Sequence, residues 1–110
     1  MNRPQAYVAG PYTAANDAQI LDNVADALRV GLILARLGYA PICPHAMGSH
    51  RITWEEAMER CREMIRRMSP GRGDVLVLLP GWERSRGALE ERALAHSCGL
   101  IVKTFEEVIR

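Results

Sequence analysis

Val75-Leu76-Val77-Leu78-Leu79-Pro80-Gly81-Trp82-Glu83-Arg84-Ser85-Arg86-Gly87 is the stretch on which the fold turns. Its first five residues are apolar without interruption, the pattern of a strand buried on both faces. Pro80-Gly81 ends that strand, and the following loop leads into a helix from about Gly87 to Cys98. A strand covered on both faces needs helices on both sides, so the rest of the chain should alternate between the two element types.

It does. Upstream, Gln5-Ala6-Tyr7-Val8-Ala9 is a short apolar run stopped by Gly10-Pro11. Asn16 or Asp17 can cap a helix to about Leu37, in which Ile20, Leu21, Val24, Ala27, Leu28, Leu32 and Leu34 recur at helical spacing and Gly38 marks the stop. Tyr39-Ala40-Pro41-Ile42-Cys43 reads as a second strand, placed at an edge or strand start by Pro41. Thr53 and Glu56 have capping-box spacing for a helix to about Met68. Downstream, Leu100-Ile101-Val102 is a last strand, and Thr104 and Glu107 cap a terminal helix.

Four strands alternating with four helices predict one three-layer α/β/α domain over residues 1–110, with a Rossmann- or flavodoxin-like parallel sheet of four to five strands. Ligands of such sheets bind beyond the carboxyl ends of the strands. The segments there are Gly10-Pro11-Tyr12, Pro44-His45 and Pro80 to Gly87.

Composition narrows the function classes. With 14 basic and 13 acidic residues the formal net charge is +1, which argues against a nucleic-acid-coating protein. Arg60, Arg62, Arg66, Arg67 and Arg72 cluster, but Glu55, Glu56, Glu59 and Glu63 interleave with or precede them, as on a solvated helix face. Cys43, Cys61 and Cys98 match no metal or redox spacing and read as reduced thiols of a cytoplasmic protein. There is no signal-peptide pattern, and the apolar stretch from Val30 to Leu37 is too short to cross a bilayer. His45 and His50 lie five apart with no third ligand at a recognised spacing, so no metal site is expected. Neither G-x-G-x-x-G nor a Walker A lysine motif is present, which excludes the common dinucleotide and P-loop sites. A chain this short buries a limited share of its surface, which favours homo-oligomerisation.

Two features carry chemistry. Ser85, Arg86 and Gly87 open a helix whose free N–H groups and partial positive charge suit an anion such as phosphate; the plainer reading of Ser85 is a helix cap. Inside that helix Glu90 lies four residues after Arg86, spaced for a surface pair. Glu91 instead shares a stripe with Gly87, Ala88, Ala95 and Cys98, a face of small apolar residues turned toward the sheet or a cleft. A carboxylate there is costly to hold, which makes Glu91 a candidate catalytic group or the buried partner of an arginine. Tyr7 reads as a core aromatic from its strand alone.

Tyr7-Val8-Ala9-Gly10-Pro11-Tyr12, Pro44-His45 and Val77 through Ala88 followed by Glu91 and Ala95 resemble the nucleoside 2-deoxyribosyltransferase-like superfamily, which includes deoxynucleoside 5′-monophosphate N-glycosidases. The resemblance covers nearly the whole chain, and its subfamily motif is Gly-Trp-Glu-x-Ser-x-Gly-Ala. It implies that Glu91 is a nucleophile, that Tyr7 orients it or tunes its pKa, and that Ser85 contacts a 5′-phosphate with Arg84 and Arg86 nearby. Trp82 or Tyr12 would stack on the base, and Gly10, Pro11, His45 and Gly87 would shape the remaining cleft. The implied partner is a small nucleoside or nucleotide, the implied reaction is N-glycosidic cleavage or transfer, and no cofactor or metal is required. A cleft that only sequesters a nucleotide is the alternative. The superfamily also carries a proton-transferring Asp at a position that falls near Cys61 here, once Ser69 to Gly73 is allowed as an insertion. Either Glu59 or Glu63 takes its place, or acid catalysis is weakened or absent.

Overall fold

The computed structural model describes residues 3–12, 14–47 and 53–110. Its elements run β1 (Gln5–Ala9), α1 (Asp17–Arg36), β2 (Ala40–Ile42), α2 (Trp54–Arg66), β3 (Val75–Leu78), α3 (Arg86–Ser97), β4 (Ile101–Thr104) and α4 (Phe105–Ile109). Every expected element forms, with ends shifted by local chemistry. α1 starts where the Asn16 side chain accepts the Gln19 amide, and its chain leaves at Gly38. β2 is shorter than the apolar run suggested, with Pro41 at its centre. α2 stops at Arg66, and its last turn tightens as Met68 N–H donates to Ile65 O. Thr53 caps α2 by accepting Glu56 N–H at 3.1 Å, but the reciprocal Glu56 bond expected of a capping box is absent among the described residues. Thr104 and Glu107 do complete a full box on α4.

The four strands make one parallel sheet in the order β2-β1-β3-β4. β2, with its proline, is an edge strand as the sequence suggested. Because side chains alternate along a strand, β1 and β3 feed two cores. Ala6, Val8, Val75 and Val77 pack against Ala27, Val30 and Leu34 of α1, with Phe105 and Val108 of α4 alongside. Tyr7, Ala9, Leu76 and Leu78 pack on the other face against Ile65 of α2 and Ala88 and Ala95 of α3. The result is a three-layer α/β/α fold.

Asp74 fastens the amino ends of the strands. Its buried carboxylate accepts Gln5 N–H at 2.7 Å, Ser69 N–H at 2.7 Å and the Arg72 guanidinium at 2.9 Å. Burial by itself would raise its pKa. The Arg72 bond and the two amides prevail and hold it below the usual value. The turn from Ser69 to Gly73 is thereby closed onto β3.

At the opposite end the chain leaves β1 toward β2 on one side, while β3 lies on the other. Their diverging connections open a crevice at the carboxyl ends, the usual ligand position of this topology. Leu79 N–H donates to Ala9 O at 2.8 Å and ties the two strand ends together below it. Gly10 sits so close to β3 that a Cβ there would fall 2.7 Å from Leu79 Cβ, so only glycine fits.

Candidate active site

A cleft of about 840 Å³ occupies this crevice. α2 and α3 both start at the carboxyl side of the sheet, so their first turns form two of its walls. Gly81 adopts φ +89°, a left-handed conformation that suits glycine, and turns the chain from β3 toward α3. Ser85 caps α3 by accepting Ala88 N–H at 3.2 Å, as the plainer reading held, and it also lines the cleft with Arg86 and Gly87. Gly10, Pro11, Tyr12 and His45 line it from the β1 and β2 ends.

Glu91 lies on the cleft floor, 6% exposed. The small-residue stripe explains the position: Ala88 and Ala95 on either side of it are fully buried against the sheet. Glu90, one residue earlier, points outward and pairs with Arg86 at 3.5 Å. From below, the Tyr7 hydroxyl donates to Glu91 Oε2. Burial pushes the Glu91 carboxyl up to about 7; hydrogen bonding by Tyr7 and Cys61 opposes that rise, and the charge of Glu90 adds to it. Burial also raises the Tyr7 hydroxyl far above its ordinary value, with Glu91 adding to the effect, so Tyr7 serves as a donor and not as an acid. The Cys61 thiol is pushed up to about 11, chiefly by burial. A carboxyl near 7 beside two groups that keep their protons can exist in either charge state at neutral pH.

His45 is held in one tautomer. Its Nε2 lies 3.2 Å from Gly10 O and 3.0 Å from Pro11 O, two acceptors, so Nε2 carries the proton. Burial lowers its pKa despite those bonds, leaving a neutral ring. Nδ1 is then a bare acceptor; it is buried and has no partner among the described residues. Tyr12 stacks on the ring at 5.8 Å between centroids. His50, the other half of the spaced histidine pair, lies outside the described residues. Among those described, no three His, Cys, Asp or Glu side chains converge to hold a metal ion.

Trp82 is not brought into the cleft. Its ring packs on the core beside α3, with the Arg92 guanidinium 5.2 Å from its centroid. The aromatic wall comes instead from Trp54 at the start of α2, over which Arg86 lies at 4.4 Å. The sequence reading missed Trp54, Met58 and Arg60. Trp54, Met58 and Cys61 share one face of α2 at i, i+4 and i+7, with Arg60 to one side of it, and that periodicity was readable. What was not readable was that the first turns of α2 extend past the sheet and face open space. Arg60, itself exposed, also lines the cleft, whereas Arg62, Arg66 and Arg67 pair with glutamates on the solvated face as expected.

The acid near Cys61 is not replaced by a neighbour. Glu59 bonds Arg62 and Arg66, and Glu63 faces Arg67, both on the exposed side of α2. Cys61 itself occupies the cleft wall next to Glu91. Arg60, Arg84 and Arg86 therefore face a lining in which Glu91 is the one carboxylate among the described residues.

No helix among the described residues is long and apolar enough to cross a membrane. No curated protein matches the chain at a significant level. The sequence model of a family described as a domain of unknown function, DUF4406, matches residues 4–104, and the chain belongs to that family.

Proposed function

We propose that the cleft cleaves or transfers the N-glycosidic bond of a nucleoside 5′-monophosphate or nucleoside, with Glu91 as nucleophile. The observation that carries this reading is the buried Glu91 carboxyl, tethered by Tyr7 on the floor of a cleft whose other fixed charges are guanidinium groups. A buried carboxylate with a raised pKa, aimed into a ligand-sized cavity, is costly to the fold and suited to covalent chemistry. The resemblance to nucleoside 2-deoxyribosyltransferase-like proteins supplies the reaction class.

In this reading the 5′-phosphate sits at the N-terminus of α3, against Ser85, the first free amides and Arg84 or Arg86. That anchors the sugar so that its anomeric carbon faces Glu91. The ionised carboxylate attacks this carbon, the bond to the base breaks, and the electron pair leaves with the base. Water or an acceptor base then takes the sugar from the glutamyl ester and frees Glu91. Tyr7 is a positioning residue that fixes the Oε2 it bonds and leaves the other oxygen to attack. His45 Nδ1 can accept from a sugar hydroxyl or a base N–H. No step calls for a cofactor or metal.

A second reading, a nucleotide-sequestering module without catalysis, is favoured by Cys61. A thiol that holds its proton up to about 11 is a poor acid for a departing base, and neither neighbouring glutamate reaches it. Incubation with a panel of ribo- and deoxyribonucleosides and their 5′-monophosphates, with and without an acceptor base, separates the two. Free base released by the native chain and not by Glu91→Gln is the expected result. Tight binding of a panel member with no release from any would establish the sequestering module.

A further inference from the structure

One face of α1 has no counterpart among the described residues. Ala18, Leu21, Ala25, Leu28, Leu32 and Ala35 follow one another at alternating steps of three and four residues. That spacing lines them into a single apolar seam about 26 Å long, at 1.5 Å per residue. The seam turns away from the sheet. Leu21 is 68% exposed, Leu28 48% and Leu32 57%, while Ala27, Val30 and Leu34 between them fill the core. Isolated exposed leucines are ordinary, but a continuous row on one helix is the mark of an interface.

We infer that this seam pairs with α1 of a second copy of the chain, antiparallel, about a two-fold axis between residues 26 and 27. The order of the side chains fits that partner. Reversed on itself, the row sets Ala25 opposite Leu28, Leu21 opposite Leu32 and Ala18 opposite Ala35. Leucine thus meets alanine at the centre, which lets the two helices approach closely, and leucine meets leucine one layer out.

Charge favours the same orientation. The flank of the seam that faces solvent carries Asp22, Asp26, Arg29 and Arg36, all exposed and two of each sign. In the antiparallel pair Arg29 of the second copy comes within about 3 Å, measured along the axis, of level with Asp22. The symmetry repeats that contact. A parallel pair would instead lay this charged flank against Val24 and Gly31 of the partner's opposite flank, where Asp22 and Arg29 meet no charge. The opposite flank is formed by Val24 and Gly31, half-buried and buried, which leaves no charge to be desolvated there.

The assignment is independent of the chemistry proposed for the cleft. Sedimentation velocity on the full chain, up to about 200 µM, tests it. A reversible dimer is expected, and Leu28→Arg should abolish it while the far-UV circular dichroism stays native, because Leu28 is half exposed and belongs to neither core. Asp22→Arg should weaken association by about tenfold at low salt, and Asp22→Arg combined with Arg29→Asp should recover most of that loss. A chain that remains monomeric throughout, or a Leu28→Arg variant that dimerises like the native chain, would overturn the inference. So would a charge reversal that fails to rescue.

Discussion

The Tyr7 hydroxyl donates to Glu91 Oε2 across 84 residues of sequence, from the middle of the central sheet to the second turn of α3. Strand alternation sends Tyr7 toward the α2–α3 layer, and the small-residue stripe of α3 lets that helix lie close enough for its glutamate to be reached. The bond fixes one oxygen of a buried carboxyl, with Cys61 as its other neighbouring donor. It also makes the two residues a single electrostatic unit, so that the stability of the fold and the charge of the cleft respond to pH together.

The first consequence concerns stability. Glu91 has a folded pKa raised from 4.5 to about 7, so between those values the folded chain holds a proton that the unfolded chain has lost. Stability is therefore fullest below 4.5 and falls as pH rises through about 7. Glu91→Gln keeps an acceptor for Tyr7 and carries no charge to bury. Its gain over the native chain should be near zero at acid pH and grow to at most about 3 kcal/mol on the alkaline side, at about 1.4 kcal/mol per pKa unit. Urea unfolding at a series of pH values measures this directly. A gap that does not vary with pH would mean that Glu91 is not a buried, titrating carboxyl.

Tyr7→Phe should move the same titration upward. Burial drives the Glu91 pKa and the Tyr7 hydrogen bond restrains it, so deleting the hydroxyl removes a group that favours the carboxylate. The variant should lose about 1–3 kcal/mol at pH 8, where a buried anion is left short of a donor, and less at pH 5. If the cleft is catalytic, the acidic limb of the kcat/KM profile should shift to higher pH while KM changes little. An unaltered profile with reduced kcat would assign Tyr7 to packing alone.

Much of this arrangement was legible in the sequence, and the reasons are specific. The Val75–Leu79 run, short, apolar throughout and ended by Pro80-Gly81, reads as a doubly covered strand, and helical spacing alone separates Glu91 from Glu90. Asn16, Ser85 and Thr104 announced three helix starts through chemistry that is local to each cap. Trp82 could not be placed in this way. Its direction depends on the turn that Gly81 opens, and that turn carries the ring onto the core beside Arg92. Arg60 and Trp54 were hidden for a different reason. The face that Trp54 shares with Met58 and Cys61 was visible as a pattern, but whether it, or the flank that carries Arg60, met sheet or open cleft is a fact of tertiary structure.

Asp74 offers a control remote from the cleft. Its carboxylate serves two amides and a guanidinium, all donors, and Asp74→Asn would turn an N–H₂ group toward one of them. A cost on the order of 2 kcal/mol is expected near neutral pH. Because the folded pKa of Asp74 is depressed, the native advantage is present above the unfolded value of 3.8 and is lost as pH falls through the folded one. The difference between native and variant should therefore shrink in strong acid, opposite in sense to Glu91→Gln. Ligand affinity at the far end of the sheet should be unchanged; a large loss would show that the turn at Ser69 to Gly73 communicates with the cleft.

Gly10→Ala tests how the cleft is supported. A methyl at that position meets Leu79 Cβ at 2.7 Å and Leu79 Cδ1 at 2.9 Å, and the Cβ is fixed to the backbone of β3 and cannot swing away. The loop must lift, at a cost of about 1–3 kcal/mol. Lifting it also moves the Gly10 and Pro11 carbonyls that hold His45 Nε2, so the ring loses its tautomeric restraint and ligand affinity should fall with stability. Leu79→Ala removes the distal atoms of the clash and leaves a space under Gly10, itself costing about 2–4 kcal/mol because Leu79 is buried. The two substitutions together should cost at least about 1 kcal/mol less than their sum, since the added methyl partly fills the space the leucine vacates. Thermal unfolding of the four members of this cycle supplies the coupling. Strict additivity would mean that the contact with Leu79 Cβ, which Leu79→Ala retains, carries the whole cost of the added methyl.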